Sequence, residues 1–159
     1  MPYVDINILF PVSSAQHLPF AITVEVRDTC LCLHLQRAAR AVARRFDAAL
    51  RPLSLTNGQF SLLMSLNREK APSIGSVSAL LAMDRTTLTA NLKPLERRGL
   101  VKVSIDDADK RTRRLKLTSA GRALLIAAVP IWKKTHAKVE RLLPRANSEE
   151  LRVDLRALS

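Results

Sequence analysis

Arg85, Thr86, Thr87, Thr89, Asn91 and Lys93 follow one another closely, and each carries a group that can bond to a nucleic-acid duplex. Short hydroxyl side chains suit phosphates, base edges or a thymine methyl, and an asparagine amide suits adenine. A second set lies downstream at Asp109, Lys110, Arg111 and Arg113. Of these, Arg111 is the candidate to enter a minor groove, where negative potential is strongest in narrow A·T-rich sequence. Asp109 lies two residues before it, placed to orient it by a charged hydrogen bond. From Asp84 to Arg122 the chain carries eleven cations against five anions. A charge run of this kind is ordinarily a solvated surface; its neighbours along the chain point instead to nucleic acid.

Those neighbours are the elements that would position it. Ser73 to about Ala82 reads as a short helix, Met83 and Asp84 as a turn, and about Arg85 to Arg98 as a second helix. The first turns of such a second helix are the part that enters a major groove. Leu88, Leu92 and Leu95 form its core face, and Pro94 is expected to bend it beyond the reading end. Gly99 stands where a helix stop with positive φ is wanted. Val101, Val103 and Ile105 then alternate with polar residues, as do Leu115 and Leu117, which predicts two half-buried strands around a charged turn from Asp106 to Arg111.

On the N-terminal side, Leu31, Leu35, Ala38, Val42, Phe46 and Ala49 recur at helical spacing, which predicts one helix over Arg27–Leu50. A further helix, capped by Thr56, is expected to reach Asn67. Residues 1 to about 25, with Val4, Ile6, Ile8 and Phe10 alternating and Pro11 and Pro19 interrupting, read as an extended arm or a poorly ordered extension. On the C-terminal side, Thr118 begins a long helix to about Leu143, with a kink expected at Pro130 and a stop at Pro144. Asn147 and Glu150 resemble a capping box for a last helix to about Leu158. The fold class is therefore mainly α with a small β-wing. The expected divisions are an extension over 1–26, a helix region over 27–54, a winged helix-turn-helix domain over 55–118 and C-terminal helices over 119–159.

The 159 residues carry a net charge of +12, a balance that favours a polyanionic partner because neutralised phosphates release condensed counterions. An anionic membrane would attract it too, but no segment of about 20 apolar residues spans one. Asp5 and the lack of a basic run before the first apolar residues argue against a secretory signal, so the cytoplasm is the expected compartment. Enzyme chemistry is poorly served. Four glycines at 58, 75, 99 and 121 form no phosphate cradle, the histidines at 17, 34 and 136 are scattered, and neither H-E-x-x-H nor G-x-S-x-G occurs. No enzyme, metal or cofactor is expected.

Cys30 and Cys32 fall in one predicted helix, where residues two apart point away from each other and cannot bridge. Cys30 and His34, four apart, share a face of that helix. Three readings stay open for them: packed groups, a redox sensor, or metal ligands that would need help from elsewhere. Trp132 and His136, also four apart, either line a ligand cavity or pack an interface.

Five elements in order resemble the MarR-type winged-helix transcriptional regulators. They are Leu55-Thr56 with Gln59-Phe60; Asp84 to Thr89; Leu95 to Val101; Asp106-x-x-Asp109-x-Arg111; and Leu117-Thr118-x-x-Gly121. Pro94, Pro130 and the first 25 or so residues depart from the pattern. The resemblance implies a homodimer whose first and last helices interlock, presenting two recognition helices to major grooves about 34 Å apart on a palindromic operator of double-stranded DNA. The apolar surface of the flanking helices, more than a three-helix domain can cover, also implies a partner. Similar regulators release DNA on binding a small aromatic or anionic effector, or on oxidation of a cysteine, and usually repress neighbouring genes. The other function that fits is a non-specific architectural DNA binder held by charge alone.

Overall fold

The computed structural model describes residues 18–143 and 147–158. The expected arm over Val4 to Phe10, His17 and the stop at Pro144 lie outside the described residues. Two compact units meet within one helix, between Ala39 and Arg40.

In the first unit, helix α1 occupies Phe20–Thr29, so residues 20–26 are helical rather than an extended arm. The expected single helix over Arg27–Leu50 is also divided. Cys30, with ψ of 105°, breaks the chain, and α2 runs from Leu31 to Leu50. The sequence obscured α1 because Ile22, Thr23, Val24 and Val26 are β-branched and disfavour helix. Phe20, Ile22, Val26 and Leu31 are exposed. Of the stripe expected along α2 only Phe46 is buried, and it is joined by Leu50 at the helix end; both belong to the second unit.

The second unit holds the core. After a 3₁₀ turn at Arg51–Leu53, α3 covers Asn57–Ser65. Thr56 caps it through a reciprocal box with Gln59, each side chain meeting the other's backbone at 3.2 Å. Helix α4 covers Ile74–Leu80 with Ser73 as cap, and α5 covers Arg85–Arg97 with Asp84 as cap. The turn between them is longer than the sequence suggests. It includes Ala82 in the left-handed region (φ 48°), and the Ser78 hydroxyl closes it on the Met83 carbonyl.

Strands β1, Val101–Ile105, and β2, Arg113–Leu117, pair antiparallel with Val103 opposite Leu115. Ser73 bridges Arg114, tying the start of α4 to the sheet. Gly99, at φ 68°, turns the chain from α5 into β1. The long helix α6, Ser119–Glu140, follows directly, and Thr118 caps it. Both α5 and α6 continue through their prolines, Pro94 and Pro130. Each proline leaves one carbonyl without its helical donor, and Pro130 lies on an exposed side where water can serve it. The last described helix, α7, covers Ser148–Ala157 and is capped by Asn147.

One apolar core joins α3, α4, α5, the two strands and α6. Leu62 and Leu63 of α3, Val77 of α4, Leu88 and Leu95 of α5, Leu115 of β2 and Ala128 of α6 are all fully buried within it. It orients α5 with its leucine face inward, which leaves Arg85, Thr86 and Thr87 exposed.

Candidate nucleic-acid interface

Capping sets the geometry at the start of α5. Asp84 takes the Thr87 backbone N–H on Oδ1 at 2.7 Å and the Thr87 hydroxyl on Oδ2 at 2.6 Å. The Thr87 hydroxyl bond, with help from the backbone N–H, holds the Asp84 carboxyl below its usual range. Thr89 donates its hydroxyl to the Arg85 carbonyl at 2.7 Å. Asn91 donates to the Thr87 carbonyl at 3.0 Å, and its Oδ1 stands 3.0 Å from where a Cβ on Gly58 would lie. The amide expected to face adenine is thus half-buried between its own helix and α3. Arg85, Thr86 and Lys93 are exposed around it.

At the wing, Asp106 Oδ1 accepts the backbone N–H groups of Ala108 and Asp109, and Oδ2 pairs with Arg114 Nε at 2.5 Å. Arg114 beside it, then these backbone donors, hold the Asp106 carboxyl low. Arg114 also reaches the Ala71 carbonyl at 3.4 Å, bracing the hairpin against the loop before α4. The expected charged bond from Asp109 to the Arg111 guanidinium is not formed. Asp109 instead accepts the Arg111 backbone N–H at 3.0 Å and the Thr112 hydroxyl at 2.7 Å, because a turn this short needs its orphan N–H groups satisfied first. The Thr112 bond is the main cause of its lowered pKa. Lys110, Arg111 and Arg113 remain exposed at the tip. Reading the sequence missed Arg114 as the brace, although Asp106 and Arg114 flank the turn at opposite charge.

The start of α5 and the wing tip thus carry exposed cations. The family model described as MarR family matches residues 55–112. The regulator PecS of Dickeya dadantii is 31% identical over 78% of this chain and 74% of its own length. The chain belongs to the MarR family of transcriptional regulators. Among solved MarR-like structures, the M. tuberculosis regulator MosR in complex with DNA is 38% identical, with a TM-score of 0.73 over 81% of this chain and 92% of that one. BpsR of Bordetella bronchiseptica, solved to explain regulation of its DNA binding by 6-hydroxynicotinic acid, is 29% identical, with a TM-score of 0.71 over 80% of this chain and 97% of that one. The chain spans about half the length of the curated Methylorubrum extorquens relative TtmR, with 35% identity over 97 residues.

This MarR-family chain also has a cleft of about 490 Å³ between α3, α4 and α6. Phe60, Met64, Leu80, Leu81, Val129 and Trp132 give it an apolar wall, and Ser61, Ser65 and Arg68 supply polar groups. Trp132 stacks on His136 with centroids 4.8 Å apart and lies 6.4 Å from Phe60. His136 does not line the cleft. It reaches Glu140 at 3.3 Å, Glu140 pairs with Arg152 of α7 at 3.0 Å, and Arg152 pairs with Glu149 at 2.9 Å. The Ser148 hydroxyl, then Arg152, hold Glu140 low.

In the first unit, Cys30 is the junction residue and not a member of the helix, so the shared face expected for Cys30 and His34 does not exist. The Leu33 N–H points to Cys30 Sγ at 3.5 Å, His34 Nε2 meets the Asp28 carbonyl at 3.1 Å, and Gln36 donates to Cys32 Sγ at 3.3 Å. Cys30 is half-buried and Cys32 exposed. Among the described residues no cluster of three or more His, Cys, Asp or Glu could hold a metal, and no helix is long and apolar enough to cross a membrane.

Proposed function

We propose that this chain is a homodimeric, sequence-specific transcriptional repressor of the cytoplasm that leaves its operator when a small aromatic anion binds. The observation that carries the reading is the exposed, capped start of α5 together with the exposed cations of the wing tip. Arg85, Thr86, Thr87, Thr89, Asn91 and Lys93 serve the major groove; Lys110, Arg111 and Arg113 serve the backbone and minor groove, on a wing that Asp109 shapes.

Dimerisation is supported by apolar residues left open at both ends of the chain: Phe20, Val26 and Leu31, and Leu151, Val153, Leu155 and Leu158. Two copies related by a two-fold axis would present two recognition helices to a palindrome.

The effector reading rests on the cleft. An indole and a phenyl ring wall it, and Arg68 is the one cation among its lining residues, which suits a flat ring with a carboxylate or phenolate. The relative BpsR responds to 6-hydroxynicotinic acid, a ligand of that kind. The alternative trigger, thiol oxidation, draws support from the exposure of Cys32 and the break at Cys30, which removes the helical constraint that kept the two sulfurs apart.

Competition binding at fixed salt between a native upstream fragment and random DNA tests the regulator reading. A large preference for the native fragment supports it, and a ratio near one leaves only the architectural binder. Light scattering at micromolar concentration tests the dimer, and a monomer would end the palindrome argument.

A further inference from the structure

A hydroxyl has one proton to give, and at the start of α5 most of those protons are already spent. Thr87 gives its proton to Asp84 Oδ2 at 2.6 Å, and Thr89 gives its own to the Arg85 carbonyl at 2.7 Å. The direction of both bonds is fixed. A carbonyl can only accept, and Asp84, already taking the Thr87 N–H on its other oxygen, is held in the ionised form that only accepts. What exposed Thr87 offers outward is therefore a pair of lone pairs and a methyl group. Asn91, whose amide can both donate and accept, spends a donor on the Thr87 carbonyl and lies against Gly58, while the exposed Thr86 hydroxyl keeps both capacities. Arg85 and Lys93 only donate.

We propose that Thr87, the exposed one of the two threonines whose protons are committed, is an acceptor-only reader on this helix and that it selects an A·T pair in each operator half-site. In the major groove adenine offers its N6 amine as donor, and its partner thymine offers a methyl, a pair of groups that matches the Thr87 oxygen and the Thr87 methyl. Guanine presents only acceptors there, N7 and O6, and receives nothing from a hydroxyl whose proton is committed. Cytosine offers an amine but no methyl, so it is second best. Readout of guanine on this helix falls to its outward donors, Arg85, Lys93 and the Thr86 hydroxyl. The proposal rests on the sequence-specific reading of the protein given above.

The test is selection of bound sequences from a randomised duplex pool by the wild-type protein, Thr87→Val and Thr87→Ser, followed by binding at fixed salt to duplexes with single altered bases. Wild type should select A·T at one position per half-site that Thr87→Val no longer distinguishes. Replacing that adenine by a purine without its 6-amino group should weaken wild type roughly tenfold and leave Thr87→Val unaffected, as expected for one base contact. Thr87→Ser, which keeps the oxygen and the bond to Asp84, should respond to the missing amine as wild type does. It should ignore replacement of the thymine by uracil, which weakens wild type. These two comparisons stand separately, so a misfolded valine variant leaves the serine result decisive. If both variants keep the wild-type preference at every position, or if the preference lost is for a guanine, the proposal is overturned while the regulator reading stands. If wild type selects no sequence, the regulator reading fails first and the proposal with it.

Discussion

The carbonyl oxygen of Leu100 lies 2.1 Å from where a side chain on Gly121 would begin. Two features press the backbones together here. The Thr118 N–H donates to that same carbonyl at 3.1 Å, and the Thr118 hydroxyl, which caps α6, reaches back to the Gly99 carbonyl at 2.7 Å. The start of α6 is thereby fixed on the start of β1, and so the wing is fixed on the long helix.

Gly121→Ala should consequently be among the more damaging small substitutions in this protein. The contact is backbone against backbone, so no side-chain rotation relieves it, and a loss towards the upper end of the roughly 1–3 kcal/mol typical of overpacking is expected. Urea denaturation checks it through the midpoint. An unchanged midpoint would mean that α6 slides on β1 at little cost.

Acid should loosen the recognition end and the wing. Asp84, Asp106 and Asp109 are each held below the usual carboxylate range, by Thr87, Arg114 and Thr112 respectively. A carboxyl whose folded pKa is lowered contributes stability that is present above its unfolded pKa and lost as pH falls through the folded value. Stability should therefore decline with pH from the ordinary carboxylate range downwards. Asp106→Asn should flatten that decline and lower the urea midpoint at neutral pH, because it removes the partner of Arg114. Urea midpoints measured from pH 7 to pH 3 would show both effects, and a variant with the wild-type slope would discount the pair.

Arg111→Ala should weaken DNA binding nearly equally for all sequences and reduce the salt slope by about one, the signature of a lost phosphate or minor-groove contact. Since Asp109 bonds the Arg111 backbone and not its guanidinium, the guanidinium is free to move onto DNA. Asp109→Ala should act differently, by loosening the turn that Thr112 and Arg111 close. Titrations at several salt concentrations separate the two. An identical slope in Arg111→Ala and wild type would take the wing out of the interface.

Much of this could be read from residue order because the signals are local. Thr56 with Gln59, Gly99 before alternating valines, and Thr118 before Gly121 each declare an element boundary within a few residues, and α3, β1 and α6 begin where they indicate. The losses have physical causes as well. α1 is built from β-branched residues that look like strand, and its apolar side chains remain exposed, so no amphipathic stripe marks it. The break at Cys30 is held by bonds from Leu33 and from His34 to Asp28, which periodicity does not encode. At the interface, residue type predicted what Thr87, Asn91 and Asp109 can bond to. It gave no sign that their donors and acceptors were already engaged by neighbours, and that engagement narrows what each can offer to DNA.

Trp132 is the single tryptophan of the chain and lines the cleft, so its fluorescence reports directly on an occupant. Small aromatic carboxylates should quench it saturably, and the same titration should release operator DNA over the same concentration range. Arg68→Ala should weaken the carboxylates about tenfold or more while leaving a neutral ester little changed, because a charge-assisted bond is lost from a largely apolar site. Met64→Trp, which fills the cleft from its open side, should block both carboxylate and ester without altering operator affinity in their absence, since Met64 is an exposed residue of α3 and not one of the groups assigned to DNA. Quenching without DNA release would make the cleft a binding site that does not control the protein. Release by hydroperoxide in the absence of any ligand, abolished by Cys32→Ser, would move the trigger to the break between α1 and α2.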